Sequence, residues 1–187
     1  MFDAILKSLD NLGRFSPSDK QLFIDKLQVK NYPKNTVLLN EKAICSTIYF
    51  LNNGAMRQFY VNDEGAEMTY NFFTTHDWVL DFESFIGQKP SKMTLITVEE
   101  VEVFELTVQG LHELIAQSQV FLQLGKILNE PQRPALYDFT NSPEEKYKHL
   151  LDNTPQYLQT FPLKQVASYL KMTPETLSRV RRKIKYT

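Results

Sequence analysis

Glu175, Ser178, Arg179 and Arg182 stand at i, i+3, i+4 and i+7, the spacing that puts four side chains on one face of an α-helix. Their chemistry is hydrogen bonding to flat polar edges: a guanidinium can donate twice to guanine, and a carboxylate can accept from cytosine N4. Leu177, Val180 and Ile184 fall on the opposite face. Thr173 is a good N-cap and Pro174 a good first-turn residue, so a helix is predicted from Pro174 to about Lys185. A helix that entered a major groove N-terminus first would offer these side chains to the bases. A shorter helix, Leu163 to Leu170, is predicted just before it, across a tight turn. From Lys164 to Thr187 the cations Lys164, Lys171, Arg179, Arg181, Arg182, Lys183 and Lys185 face a single acid, Glu175, so this end carries +6 and the rest of the chain −7. A cationic end on an acidic body suits a polyanion. The competing reading is an ordinary solvated helix laced with salt bridges.

Other reactive chemistry is sparse. Cys45 is the only cysteine, which excludes an internal disulfide, a Cys-based zinc site and a four-thiolate iron–sulfur cluster within the chain. His76, His112 and His149 are scattered, which gives no metal site and argues against a metal-dependent enzyme of cupin type. A second polar group, Asp81, Glu83, Ser91 and Lys92, lies around Phe82 in the segment 76–93, and its acids also read as solvated turn residues. Phe72, Phe73, Trp78, Phe82 and Phe85 could line an apolar pocket, but aromatic residues of this kind read first as core.

The elements that must position these groups follow from 187 residues, 42% of them hydrophobic, enough for one large or two modest domains. Two helical stripes open the chain, Phe2, Ile5, Leu6, Leu9 and Leu12 and then Leu22, Phe23, Ile24 and Leu27, with Ser16 before Pro17 as a start signal. Short β-rich runs follow at Val37–Leu39, Thr47–Leu51, Met56–Val61, Met68–Phe73, Thr94–Val98 and Val101–Leu106, with hairpin turns at Asn52-Asn53-Gly54 and Asn62-Asp63-Glu64-Gly65. Strands at this spacing predict a sandwich or barrel. Helical stripes return at Leu111, Leu114 and Ile115 and at Phe121, Leu122, Leu124, Ile127 and Leu128, until Pro131 and Pro134 impose a hinge. Ser142-Pro143-Glu144-Glu145 is a capping box that opens a second domain. The longest apolar runs stop far short of the ~18 residues that span a bilayer, and no leader pattern is present, so a cytoplasmic protein without membrane contact is expected.

The run from Pro162 to Lys183, with its Glu175-Thr176-Leu177-Ser178-Arg179 core, closely resembles the DNA-binding end of Crp/Fnr-family bacterial transcription regulators. Asn40-Glu41-Lys42-Ala43, the strand and turn from Thr47 to Gly54, the Glu64-Gly65 hairpin and the strand Glu102–Leu106 are similar to the β-roll of that family. The resemblance implies an α+β chain. A jelly-roll-like double-stranded β-helix sensor would occupy 1–120, a connecting dimerisation helix and hinge 121–141, and a winged-helix or helix-turn-helix domain 142–187. It further implies base contacts from Glu175, Ser178 and Arg179, phosphate contacts from Lys164, Gln165, Arg181 and Arg182 beside the cap Thr173, and a homodimer paired through Leu114 to Leu128 on two-fold-symmetric double-stranded DNA. RNA polymerase and a small-molecule effector are the remaining partners it implies. Lys171 departs from the glycine common in the family's turn, at a cost of roughly 1 kcal/mol for a left-handed conformation.

For the effector, the resemblance points to Asp81, Phe82, Glu83, Ser91 and Lys92. The family's cyclic-nucleotide members hold the phosphate with an Arg-Ser pair, and here Ser91 stands where the arginine should be, with Lys92 only a point charge. Cyclic AMP binding is therefore disfavoured, as is haem ligation through His76, and no cofactor is assigned. The remaining alternative keeps the β-roll as a ligand-binding signalling protein or adaptor that has lost DNA binding; the intact Glu175, Ser178 and Arg179 face argues against it.

Overall fold

The computed structural model describes residues 1–129 and 142–185. Two compact units emerge, Met1–Met56 with Phe73–Glu130, and Arg57–Phe72 with Pro131–Thr187. This departs from the expected division at 120 and 141: the second hairpin, 57–72, groups with the C-terminal helices.

The first unit opens with α1, Asp3–Leu12, whose Ile5, Leu9 and Leu12 are buried one helical turn apart. Burial of each such side chain contributes about 1.5–3 kcal/mol. Ser16 caps α2, Pro17–Lys26, in a full capping box with Asp19. The strands are β1 Gln28–Tyr32, β2 Val37–Leu39, β3 Thr47–Asn53, β4 Met56–Val61, β5 Glu67–Phe73, β6 Trp78–Val79, β7 Thr94–Thr97 and β8 Val101–Thr107. Two four-stranded sheets form, in the orders β1-β8-β3-β6 and β2-β7-β4-β5. β3 pairs antiparallel with β8, Phe50 opposite Phe104, and β1 pairs with the other side of β8. Ile48, Tyr49, Phe50 and Leu51 are buried in succession because both faces of β3 are covered, so the strand shows no alternation. Gly54 turns the β3–β4 corner at φ 98, and a Cβ there would meet the Glu100 carbonyl at 2.6 Å.

β1 and β6 were not legible as strands, and neither was the helix α3, Phe82–Gly87. β1 is exposed at four of five positions and is held by its ladder to β8 rather than by apolar patterning. The expected connecting helix also differs. α4, Val108–Gln117, ends where Ser118 turns extended, a 3-10 segment follows at Gln119–Leu124, and α5 is short, Gly125–Asn129. Phe121, Leu124 and Ile127 are spent on the unit's own core, with the Phe15 and Phe121 rings 5.8 Å apart, so Leu114–Leu128 offers no continuous helical seam. Pro131 and Pro134 lie outside the described residues.

In the second unit, Ser142 and Glu145 form the expected capping box at the start of α6, Pro143–Asn153. α7, Tyr157–Thr160, α8, Leu163–Tyr169, and α9, Pro174–Lys185, complete it. Among the described residues from 142 onward there is no strand, so the expected wing is not found there. The β-structure of this unit is the β4–β5 hairpin. Its Arg57, buried to 4% exposure, donates from Nε to Thr69 Oγ1 at 2.9 Å, pairs with Glu67 at 2.5 Å and lies over the Phe59 ring.

Candidate functional site

α8 and α9 are joined by Leu170-Lys171-Met172-Thr173, and Lys171 adopts the left-handed conformation, φ 54, that the turn demands. Thr173 caps α9 as expected, accepting the Thr176 N–H at 3.2 Å. Leu177 and Val180 are buried, while Glu175, Ser178, Arg179, Arg181, Arg182 and Lys183 are exposed. Lys183 reaches Glu144 at 3.1 Å, tying α9 to α6. That bond holds the Glu144 carboxyl below its ordinary range.

Pro174, Glu175, Ser178, Arg179 and Arg182 line one open concavity of about 400 Å³. The Glu175 carboxyl is held below the usual range, first by its own backbone N–H at the helix start and then by Thr173, so it is an acceptor at neutral pH. The side chains expected to read bases therefore share one accessible face. The expected phosphate anchors divide. Lys164, Arg181 and Arg182 are exposed, but Gln165 is half-buried and its Oε1 has no hydrogen-bond partner.

The segment expected to hold an effector is built the opposite way. Asp81 caps α3 through the Ser84 N–H and accepts a short hydrogen bond from the Ser91 hydroxyl, and both Asp81 and Ser91 are buried. The Ser91 hydroxyl also accepts from the Met93 N–H at 2.8 Å. Ser84, which the sequence did not single out, is a second centre: its hydroxyl donates to the Lys89 carbonyl at 2.6 Å and accepts from the Cys45 N–H at 2.9 Å. Phe82, Glu83 and Lys92 are exposed and do not join Asp81 and Ser91. Phe72, Phe73 and Phe85 are core. His76 is exposed and stacks on Phe50 at 6.0 Å. Among the described residues no three His, Cys, Asp or Glu side chains form a metal-holding group, and no helix is long and apolar enough to cross a membrane.

Residues 29–118 match the cyclic nucleotide-binding domain family. Comparison with curated proteins finds no match. Among solved structures, FixK2 from Bradyrhizobium japonicum aligns at TM-score 0.70 and 14% identity over 86% of this chain and 85% of that one. The catabolite activator protein of Thermus thermophilus aligns at 0.57 and 19% identity, covering 92% and 84%. The regulatory subunit of a cAMP-independent protein kinase A from Trypanosoma brucei aligns at 0.52 and 15% identity, over 63% of this chain and 42% of that one. Residues 29–118 are thus similar to the cyclic nucleotide-binding domain and fold as a β-roll with helices, and the structural neighbours of the chain include transcription regulators of the Crp/Fnr family.

The domain family implies a cyclic nucleotide, and the residues present do not fit one. Its phosphate needs a cation or a cradle of donors. At the corresponding segment the buried side chains are a carboxyl and two hydroxyls that already bond one another or the backbone, and Lys89 and Lys92 are exposed.

Proposed function

We propose that this chain is a sequence-specific DNA-binding transcription regulator of the Crp/Fnr type that acts as a homodimer on a two-fold-symmetric site. The observation that carries the reading is α9: Glu175, Ser178, Arg179 and Arg182 lie together and accessible on one side, while Leu177 and Val180 anchor the other. α8 and α9 form the helix-turn-helix, with α9 entering the major groove, Arg179 bidentate to a guanine, and Arg182, Arg181 and Lys164 on phosphates. The fold likeness to Crp/Fnr regulators over 86–92% of the chain supports it. The β-roll is the sensor, its effector is not a cyclic nucleotide, and RNA polymerase is the protein partner at the promoter.

A second reading, a β-roll adaptor without DNA binding, draws on the kinase regulatory subunit, which matches 63% of the chain. It leaves the exposed α9 face without a role. Selection of duplexes from a random-sequence pool separates the two: the regulator enriches a palindrome whose half-sites lie about one helical turn apart, whereas the adaptor enriches nothing above a protein-free control.

A further inference from the structure

The outer face of α8 is covered in part within its own unit, at Ser168, while Lys164 on the same face is exposed. Val166, Ala167, Tyr169 and Leu170 point into the unit, so Lys164, Gln165 and Ser168, spaced at i, i+1 and i+4, share the opposite face. Ser168 on that face is fastened to strand β5. Its hydroxyl accepts the Thr69 backbone N–H at 2.8 Å and donates to the Glu67 carbonyl at 3.3 Å, standing in for the neighbour that an edge strand lacks. Beside it the Tyr157 hydroxyl donates to the Phe72 carbonyl at 3.0 Å, and the Phe72 ring stacks on Phe161 at 3.8 Å and meets Tyr169 at 4.9 Å. The β4–β5 hairpin behind this contact is stiffened by Arg57, bonded to Glu67 and Thr69, and its turn carries Asp63 and Glu64.

We propose that this clasp is autoinhibitory: the acidic β4–β5 hairpin occupies the face of α8 that must meet DNA phosphates, and DNA binding requires Ser168 to leave the β5 edge. The inference rests on the DNA-binding reading above. Two observations give it direction. Lys164 and Gln165, the anchors of α8, stand one turn before Ser168, so a hairpin and a phosphate backbone compete for one surface. The Oε1 of Gln165 on this face is shielded and has no hydrogen-bond partner, an uncompensated desolvation that water reaching it as a donor relieves. The apparent affinity for DNA is then the intrinsic affinity reduced by the fraction of chains with the clasp open.

The test uses the full chain and a labelled duplex recovered by selection with the Ser168→Ala chain. Loss of two hydrogen bonds is expected to tighten binding by roughly tenfold, and Ser168→Thr, which keeps a hydroxyl, is expected to stay near wild type. Hydrogen exchange gives a readout that helix propensity cannot mimic: the Thr69 amide is protected in the free chain and exchanges faster both in Ser168→Ala and in the wild-type chain saturated with duplex. Equal or weaker binding by Ser168→Ala, or a Thr69 amide that stays protected on DNA, overturns the clasp while leaving the DNA-binding reading intact. Failure of every variant to retain any duplex overturns the DNA-binding reading, and the clasp falls with it.

Discussion

Two polar clusters of this chain share a vocabulary of acids and hydroxyls and differ in how those groups are used. Around α3, Asp81, Ser84 and Ser91 are buried and bonded to one another and to the backbone. On α9, Glu175, Ser178, Arg179 and Arg182 are exposed and ring a concavity. A polar group that has satisfied its bonds internally stabilises a fold; one held in place by a buried opposite face but left open to solvent has bonds to give a partner. The same contrast separates Ser168, whose hydroxyl is engaged at the β5 edge, from Arg179 on the next helix.

Asp81→Ala sharpens the difference most. It removes the α3 cap and the short hydrogen bond from the Ser91 hydroxyl, which keeps its bonds to the Met93 backbone, so a stability loss of about 2 kcal/mol is expected. Urea unfolding measures it, and the base preference of the selected duplex should not change. Arg179→Ala should do the reverse, leaving the urea midpoint in place while costing about 1–3 kcal/mol of DNA affinity per half-site and relaxing one base pair. Unchanged base preference would remove its direct-readout role. Arg182→Ala should weaken all sequences alike and lower the magnitude of the log–log salt slope by about one per subunit; loss of specificity there instead would mean that α9 sits in the groove with a different rotation.

Lys171→Gly tests the turn between α8 and α9. Relief of the left-handed strain, about 1 kcal/mol, is offset in part by the freedom glycine gains on unfolding. A net gain of about 0.5 kcal/mol is expected, seen as a melting point higher by about 1–2 °C.

The smallest effect belongs to the first unit and is one of pH. Burial, and then the hydrogen bond to Glu105, pushes the Tyr32 hydroxyl up to about 12 from the ordinary 10. A raised pKa favours the protonated phenol in the folded chain, so its contribution is full below pH 10 and is lost as pH rises from 10 through about 12. Tyr32→Phe should lower stability modestly at neutral pH, where the hydrogen bond to Glu105 is lost, and flatten the alkaline fall across that window, as followed by thermal melts.

Much of the architecture could be read from local pattern. α1, α2 and the capping box at Ser142 stand where spacing and start signals predicted them, and six of the strands lie within two residues of the apolar runs. β1 escaped notice because its residues are mostly exposed and polar, and its order comes from the ladder to β8 across some seventy positions of chain. Phe121, Leu124 and Ile127 have helical spacing, and spacing alone cannot tell a seam offered to a second copy from a stripe packed on the unit's own core. In segment 76–93 the residue types already argued against a bound phosphate, but the pairing of Asp81 with Ser91 and the role of Ser84 depended on chain reversal around α3.

The sequence by itself determined the two faces of α9, its Thr173 cap and the cationic charge of its end, because each depends on neighbours within about two helical turns. Tertiary structure alone decided which polar groups remain available. The Thr69 amide and the Ser168 hydroxyl are 99 positions apart, and Phe72 and the Tyr157 hydroxyl 85. No local spacing encodes such a meeting, because it follows from which strand edge is left without a neighbour and which helix face comes to rest against it.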